Sequence, residues 1–399
     1  MKVQEIFSAY NDYIMPTYTK TPLVFVKGKG SYLWDIHNRK YLDFFPGWGA
    51  GNLGHCHSKV MTAVRDQISK LIFVPNNYYH PAQANLAKEL NFWSGFPVKV
   101  FFCNSGAEAN EGAIKLARRF GKGRFEIITF ENSFHGRTLA ALAATGQSKY
   151  KEGFRPLPEG FKIVPFNNLE AVNSALTDRT VAVMLELIQG EGGINIAGKE
   201  FVLGLRRKCD KKGLLLIVDE VQTGIGRTGK MFAYQHYGIK PDVVTLAKSL
   251  GGGLPIGAML AKKEIADVLG PGSHASTFGG GPVICKAALA VLRAVQKDKL
   301  LSRVENSGKY LTARLISLKN KHKVIADVRG KGLMFGVELR TQGKELVEQC
   351  LNLGLLINCT HEKVLRLMPA LNVTEREIDQ AVSILDKALE ESLKKPYLM

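Results

Sequence analysis

Six short, nearly continuous apolar runs, separated by stretches of helical pattern, constrain this chain more than any other feature. They lie at 98–103, 126–130, 181–185, 214–218, 243–246 and 257–261. A strand with one wet face alternates apolar and polar residues, whereas a strand covered on both faces does not. Helical patterns at 107–120 and 200–212 separate such runs. Strands alternating with helices imply βαβ units and a mostly parallel sheet. The C-terminal third changes character. An Ala- and Leu-rich helix at 282–296 is followed by short strands at 332–338 and 364–367 and by helices at 345–353 and 375–393. That pattern reads as a smaller α+β domain. Tyr32-Leu33-Trp34-Asp35 and Tyr41-Leu42-Asp43-Phe44 resemble short paired strands expected to join it. At 399 residues the chain exceeds one typical core. The expected division is an N-terminal segment 1–55, a large domain 56–285 and a small domain 286–399.

The formal net charge of +18 raises nucleic acid as a partner. The basic residues are scattered, however, and no nucleic-acid-binding motif accompanies them, so a diffuse surface field is the favoured reading and no nucleic-acid partner is expected. Six dispersed cysteines without a CxxC pair point to a reduced, cytoplasmic protein. No apolar run approaches the length of a membrane span, so no membrane association is expected. His55-Cys56-His57 matches no zinc spacing, and no metal is expected.

In an open parallel sheet, ligands bind beyond the carboxyl ends of the strands. Asn104-Ser105-Gly106-Ala107-Glu108 follows one run and opens a helix, whose free N–H groups favour an anion such as phosphate. Taken alone, it is equally well a plain strand-to-helix turn. Asp219 closes the run 214–218; the ordinary structural reading is a helix cap. The polar, Gly-bearing sequence that follows Asp219 weakens that reading. Lys248 follows the run 243–246, ahead of Ser249-Leu250-Gly251-Gly252-Gly253. A lone lysine there is usually solvated. Together, a phosphate cradle, an acid and a lysine on successive sheet ends are the parts of a pyridoxal phosphate site. A desolvated lysine amine suits Schiff-base and proton-transfer chemistry. Phe134 is placed to cover a flat ring, and the neighbouring His135 to orient or pack.

The stretches 104–118, 133–154, 188–193, 216–235, 241–260, 274–280 and 364–371 together resemble the class III (subgroup II) aminotransferases over nearly the whole chain. Asp219 and Lys248 lie 29 residues apart, the usual interval in that family. The resemblance implies a fold type I pyridoxal-phosphate-dependent transferase. Its large domain has a mostly parallel seven-stranded sheet, beside a smaller α+β domain, in a homodimer with shared active sites. By the same resemblance, Lys248 is the Schiff-base lysine and Asp219 the partner of the ring nitrogen. Ser105, Gly106 and Ala107 form the phosphate turn, Phe134 stacks on the ring, Gln222 lies near the ring hydroxyl, and Glu186 belongs to the cofactor set. Thr277 is a phosphate ligand given by the other subunit. Arg366 grips an α-carboxylate and Glu191 shields it, while Arg137 binds a second carboxylate. Trp48 and Tyr18 line the substrate side.

The expected reaction is amino transfer from N2-acetylornithine to 2-oxoglutarate, as in arginine biosynthesis. Alternative donors are ornithine, succinylornithine, succinyldiaminopimelate and 4-aminobutyrate; the indole of Trp48, where related enzymes carry other side chains, leaves the donor open. A reading of another class is a non-catalytic binding or regulatory protein on the same fold. The retained lysine, aspartate and arginines weigh against it.

Overall fold

A computed structural model describes residues 2–394. Its central sheet has seven strands: β1 (Val98–Cys103), β2 (Glu126–Phe130), β3 (Phe161–Val164), β4 (Thr180–Leu185), β5 (Leu215–Asp219), β6 (Val243–Leu246) and β7 (Gly257–Lys262). Their spatial order is β1-β7-β6-β5-β4-β2-β3. The pairs β5–β6, β5–β4, β4–β2 and β2–β3 are parallel, whereas β7 runs antiparallel to both β6 and β1. Six strands therefore run one way and one is reversed. The six runs read from the sequence are all strands of this sheet. The seventh, β3, has an exposed or half-buried face over most of its length and sits at the edge, so it carries no continuous apolar run.

Both faces are covered, which is why the runs do not alternate. Leu215 and Ile217 pack with Ala113, Ile114 and Ala117 of the helix Gly106–Phe120. Leu216 and Val218 face the other way, into the larger core that includes Phe201, Val202 and Leu205 of the helix Lys199–Lys212. A second, antiparallel sheet takes Ile325–Lys331, Met334–Leu339, Val364–Leu367 and Asn358–Thr360. Near the N-terminus Tyr32–Asp35 pairs with Lys40–Asp43, as the sequence suggests, and Lys40–Asp43 takes Leu355–Leu356 as a parallel neighbour. No helix among the described residues is long and apolar enough to cross a membrane.

Candidate active site

Strand direction gathers the site. Because β1, β4, β5 and β6 run the same way, Asn104, Glu186, Asp219 and Lys248 all emerge at one edge of the sheet. The reversed β7 brings the loop before it, Gly253 to Ile256, to that same edge. Between them lies a cavity of about 470 Å³. Its walls include Ser105, Gly106, Ala107, Phe134, Arg137 and Glu186, together with Glu191, Asp219, Gln222 and Lys248.

Asp219 is buried and heavily bonded. Its Oδ2 accepts from His135 Nδ1 at 2.8 Å and from Asn110 Nδ2 at 2.8 Å. Its Oδ1 accepts from the Val221 N–H at 3.0 Å, so the ordinary turn-capping bond is also present. Glu186 accepts from the backbone N–H of Phe134 at 2.9 Å and of Gly190 at 3.2 Å, which ties the ring-bearing segment to the sheet end. Burial pushes the Glu186 carboxyl up to about 7; nearby His135 opposes this and the charge of Asp219 reinforces it. Lys248 adopts a left-handed backbone conformation, φ 42°, where β6 ends and a tight turn Lys248–Gly251 begins. Non-glycine residues adopt that region only when their surroundings impose it. Burial holds its amine below the ordinary lysine range. Arg366 pushes the same way, while Glu191 and Asp219 resist.

The phosphate turn has a built floor. Ser105 caps the helix Gly106–Phe120, its hydroxyl accepting from the Glu108 N–H at 3.1 Å. A Cβ on Gly106 would lie 2.7 Å from Val221 Cγ1, so only glycine fits there without displacement. Gln222 donates to the Trp48 carbonyl at 3.1 Å, and its buried Oε1 has no partner among the described residues. These features fit pyridoxal phosphate. The helix N-terminus suits the phosphate, Asp219 the ring N–H, the unpartnered Gln222 oxygen the ring hydroxyl, and Lys248 the aldehyde carbon.

Arg366 lies on the strand Val364–Leu367, directly opposite Asn358 and Gly336. Its guanidinium is fully buried. Nε donates to Asn358 Oδ1 at 3.0 Å, and Nη1 to the Gly190 carbonyl and to Glu191 Oε1, each at 2.7 Å. The ring of Phe45 lies 4.6 Å away. Nη2 is buried without a partner among the described residues. Arg137, on the exposed side of the cavity, stacks 4.1 Å from the Tyr150 ring, which in turn meets Phe134 edge-on.

Four of the residues singled out from the sequence are outside the cavity lining; Arg366 reaches it through Glu191, and the other three stand apart. Thr277 lines a separate cavity beside Tyr79 and Ser276. Trp48 contributes its carbonyl to Gln222 while its indole, half exposed, packs edge-on to Phe45 outside the cavity lining. Tyr18 is 71% exposed and does not line it. The sequence reading missed Asn110. The available signal was its position: it falls in phase with Ala113, Ala117 and the other buried residues of its helix. A polar side chain on such a face needs a partner. No group of three or more potential metal ligands is clustered among the described residues.

Comparison with known proteins agrees with this geometry. The family described as class-III aminotransferase matches residues 13–389. The acetylornithine aminotransferase of Caldanaerobacter subterraneus subsp. tengcongensis is 52% identical over 385 residues, covering 95% of this chain and 98% of that protein. The crystal structure of the ornithine aminotransferase of Toxoplasma gondii superposes with a TM-score of 0.95 at 31% identity, covering 99% of this chain and 96% of that one. That of the acetylornithine aminotransferase of Elizabethkingia anophelis gives 0.87 at 33% identity, covering 98% and 99%.

Proposed function

The chain belongs to the class III aminotransferases, which use pyridoxal phosphate, and on that premise we propose that it transfers the amino group of N2-acetylornithine to 2-oxoglutarate. The products are N-acetylglutamate 5-semialdehyde and glutamate, a reaction that serves arginine biosynthesis in the cytoplasm. The observation that carries this reading is the covered arginine: Arg366, fully buried, with Glu191 laid across one edge of its guanidinium beside Lys248.

Such a site must take two substrates in turn. The keto acid brings a carboxylate next to the reacting carbon, whereas the terminal amine of the donor does not. Glu191 neutralises Arg366 while the donor is bound and yields when the keto acid arrives. Arg366 then offers Nη2 and the vacated edge as a two-pronged grip. Arg137, at the opposite and more open wall, receives the remote carboxylate of either substrate.

Bound pyridoxal phosphate supplies an electron sink for the amine-bearing carbon. Asp219 holds the proton on the ring nitrogen. Lys248 Nζ, kept unprotonated by burial, would take a proton from the substrate carbon and hold it for the return step. Phe134, fixed through its N–H to Glu186, covers the ring.

A homodimer with shared sites is part of the proposal. Thr277 lies away from its own chain's cavity, in a region bearing exposed Ile72, Tyr79 and Phe278. A second copy would cover that apolar surface and receive Thr277 at its own phosphate turn. The division into 1–55, 56–285 and 286–399 also stands as proposed; the pairing of Lys40–Asp43 with Leu355–Leu356 supports it.

The test is a donor titration without acceptor, following the visible absorbance of the bound cofactor. Loss of the band fastest with N2-acetylornithine is the expected result. A faster loss with ornithine, succinylornithine or 4-aminobutyrate would reassign the donor. Absence of any cofactor band would overturn the proposal.

A further inference from the structure

We propose that Asn110 is a positioning residue through which the helix Gly106–Phe120 sets the Asp219 carboxylate against the cofactor ring, an inference that rests on the pyridoxal phosphate reading above. The side-chain amide nitrogen of Asn110 has two hydrogens and meets two acceptors. One is the His135 carbonyl at 2.7 Å; the other is Asp219 Oδ2 at 2.8 Å. Turning the amide over would set its oxygen against a carbonyl and a carboxylate oxygen, so the orientation is unambiguous.

Packing alone does not account for this residue. Asn110 is 1% exposed, and its Oδ1 has no partner among the described residues, a cost that an apolar side chain would avoid. Its helical neighbours Ala109, Ala113 and Ile114 are apolar and equally buried. The account lies in what the two hydrogens hold. One of them, together with His135 Nδ1, occupies Oδ2 of Asp219, while Oδ1 takes only the Val221 N–H. Oδ1 is thereby the oxygen with capacity left for a ring N–H. The carbonyl of His135 is fixed by the same amide, so the imidazole and the carboxylate are set together.

The same helix presents Ser105, Gly106 and Ala107 at its N-terminal end, one turn before Asn110. One rigid element thus relates the phosphate end of the cofactor to the carboxylate at the ring nitrogen.

The test compares Asn110→Leu, which keeps the branching and heavy-atom count of the side chain and removes the donors, with the wild-type protein. The expected results are a roughly tenfold loss of pyridoxal phosphate affinity in the apoprotein and a similar fall in kcat, the scale typical when a group orienting a site residue is removed. KM for 2-oxoglutarate is expected to stay unchanged, and the pH at which the bound cofactor's band titrates to shift. A variant with wild-type affinity, kcat and band titration would overturn the inference while leaving the activity standing. Wild-type protein that neither binds pyridoxal phosphate nor transaminates would overturn both. If the variant does not fold, selective 15N-asparagine labelling of the wild-type apoprotein decides. Both amide hydrogens of Asn110 should be protected from exchange, and free-amide exchange rates would refute the geometry.

Discussion

Arg366 and Glu191 form a buried pair, Nη1 to Oε1 at 2.7 Å, that leaves the guanidinium's other terminal nitrogen, Nη2, without a partner. Burying a guanidinium costs several kcal/mol, and here Glu191, Asn358 Oδ1, the Gly190 carbonyl and the Phe45 ring offset it. The pair therefore leaves one donor nitrogen unused behind Glu191, which itself lines the cavity.

Arg366→Ala is expected to lower kcat/KM for 2-oxoglutarate about 100-fold or more, within the range for losing one partner of a buried charge pair. Glu191→Gln should lower KM for 2-oxoglutarate and slow the donor half-reaction. Single-turnover measurement of the two half-reactions separates these effects. Equal losses in both half-reactions of Arg366→Ala would rule out the carboxylate role.

Asp219→Asn keeps the shape and removes the charge proposed to hold the ring proton. It also turns an acceptor-only group, on which three donors converge, into one carrying its own hydrogens. We expect kcat to fall about 100-fold or more, as on loss of a preorganised electrostatic partner. Steady-state kinetics at saturating cofactor checks this, and a fall below tenfold would argue against ring-nitrogen contact.

Burial lowers the Lys248 amine. Its deprotonation should therefore appear in the pH profile of the donor half-reaction below the ordinary lysine value of about 10.4. Lys248→Ala should fold normally by circular dichroism, show no wild-type cofactor band and have no measurable turnover. Turnover surviving in this variant would displace Lys248 from the mechanism.

Glu220 supplies a stability prediction. It is buried, accepts from Thr223 Oγ1 and the Tyr234 N–H, and burial pushes its carboxyl up to about 7. Between the unfolded value, about 4.3, and about 7, the folded protein keeps a proton that the unfolded chain has released. Stability therefore falls as pH rises through that window and levels off above it. Glu186 acts in the same sense. Glu220→Gln should flatten, without abolishing, the drop in urea midpoint between pH 5 and pH 8. An unchanged slope would show that Glu220 does not titrate there.

The proposed dimer is checked by light scattering, where twice the chain mass of 43.9 kDa is expected. Phe73 and Phe278 lie 5.5 Å apart between ring centroids, and both are exposed. Phe278→Asp should shift the equilibrium toward monomer and reduce activity in parallel. Full activity in a monomer would refute the shared site.

Much of this architecture was legible because its signals are local. An unbroken apolar run reports burial on both faces of a strand, and the first polar residue after it reports the strand's end. Six of the seven sheet strands, the turn at Ser105 and the positions of Asp219 and Lys248 followed from that alone. Strand β3 escaped because an edge strand has a wet face. The reversal of β7 left no mark on its own residues, since a buried strand looks the same in either direction.

The sequence by itself therefore determined the layered fold and which sheet ends carry reactive groups. Only the tertiary structure decided which oxygen of Asp219 remains available and what holds it. It also decided that Arg366 and Glu191, 175 residues apart, share a hydrogen bond, and that Thr277 lies outside the cavity of its own chain. The reason is physical: burial is a property each segment records in its composition. A hydrogen bond between distant segments instead depends on strand register and helix placement, which exist only once the chain has packed.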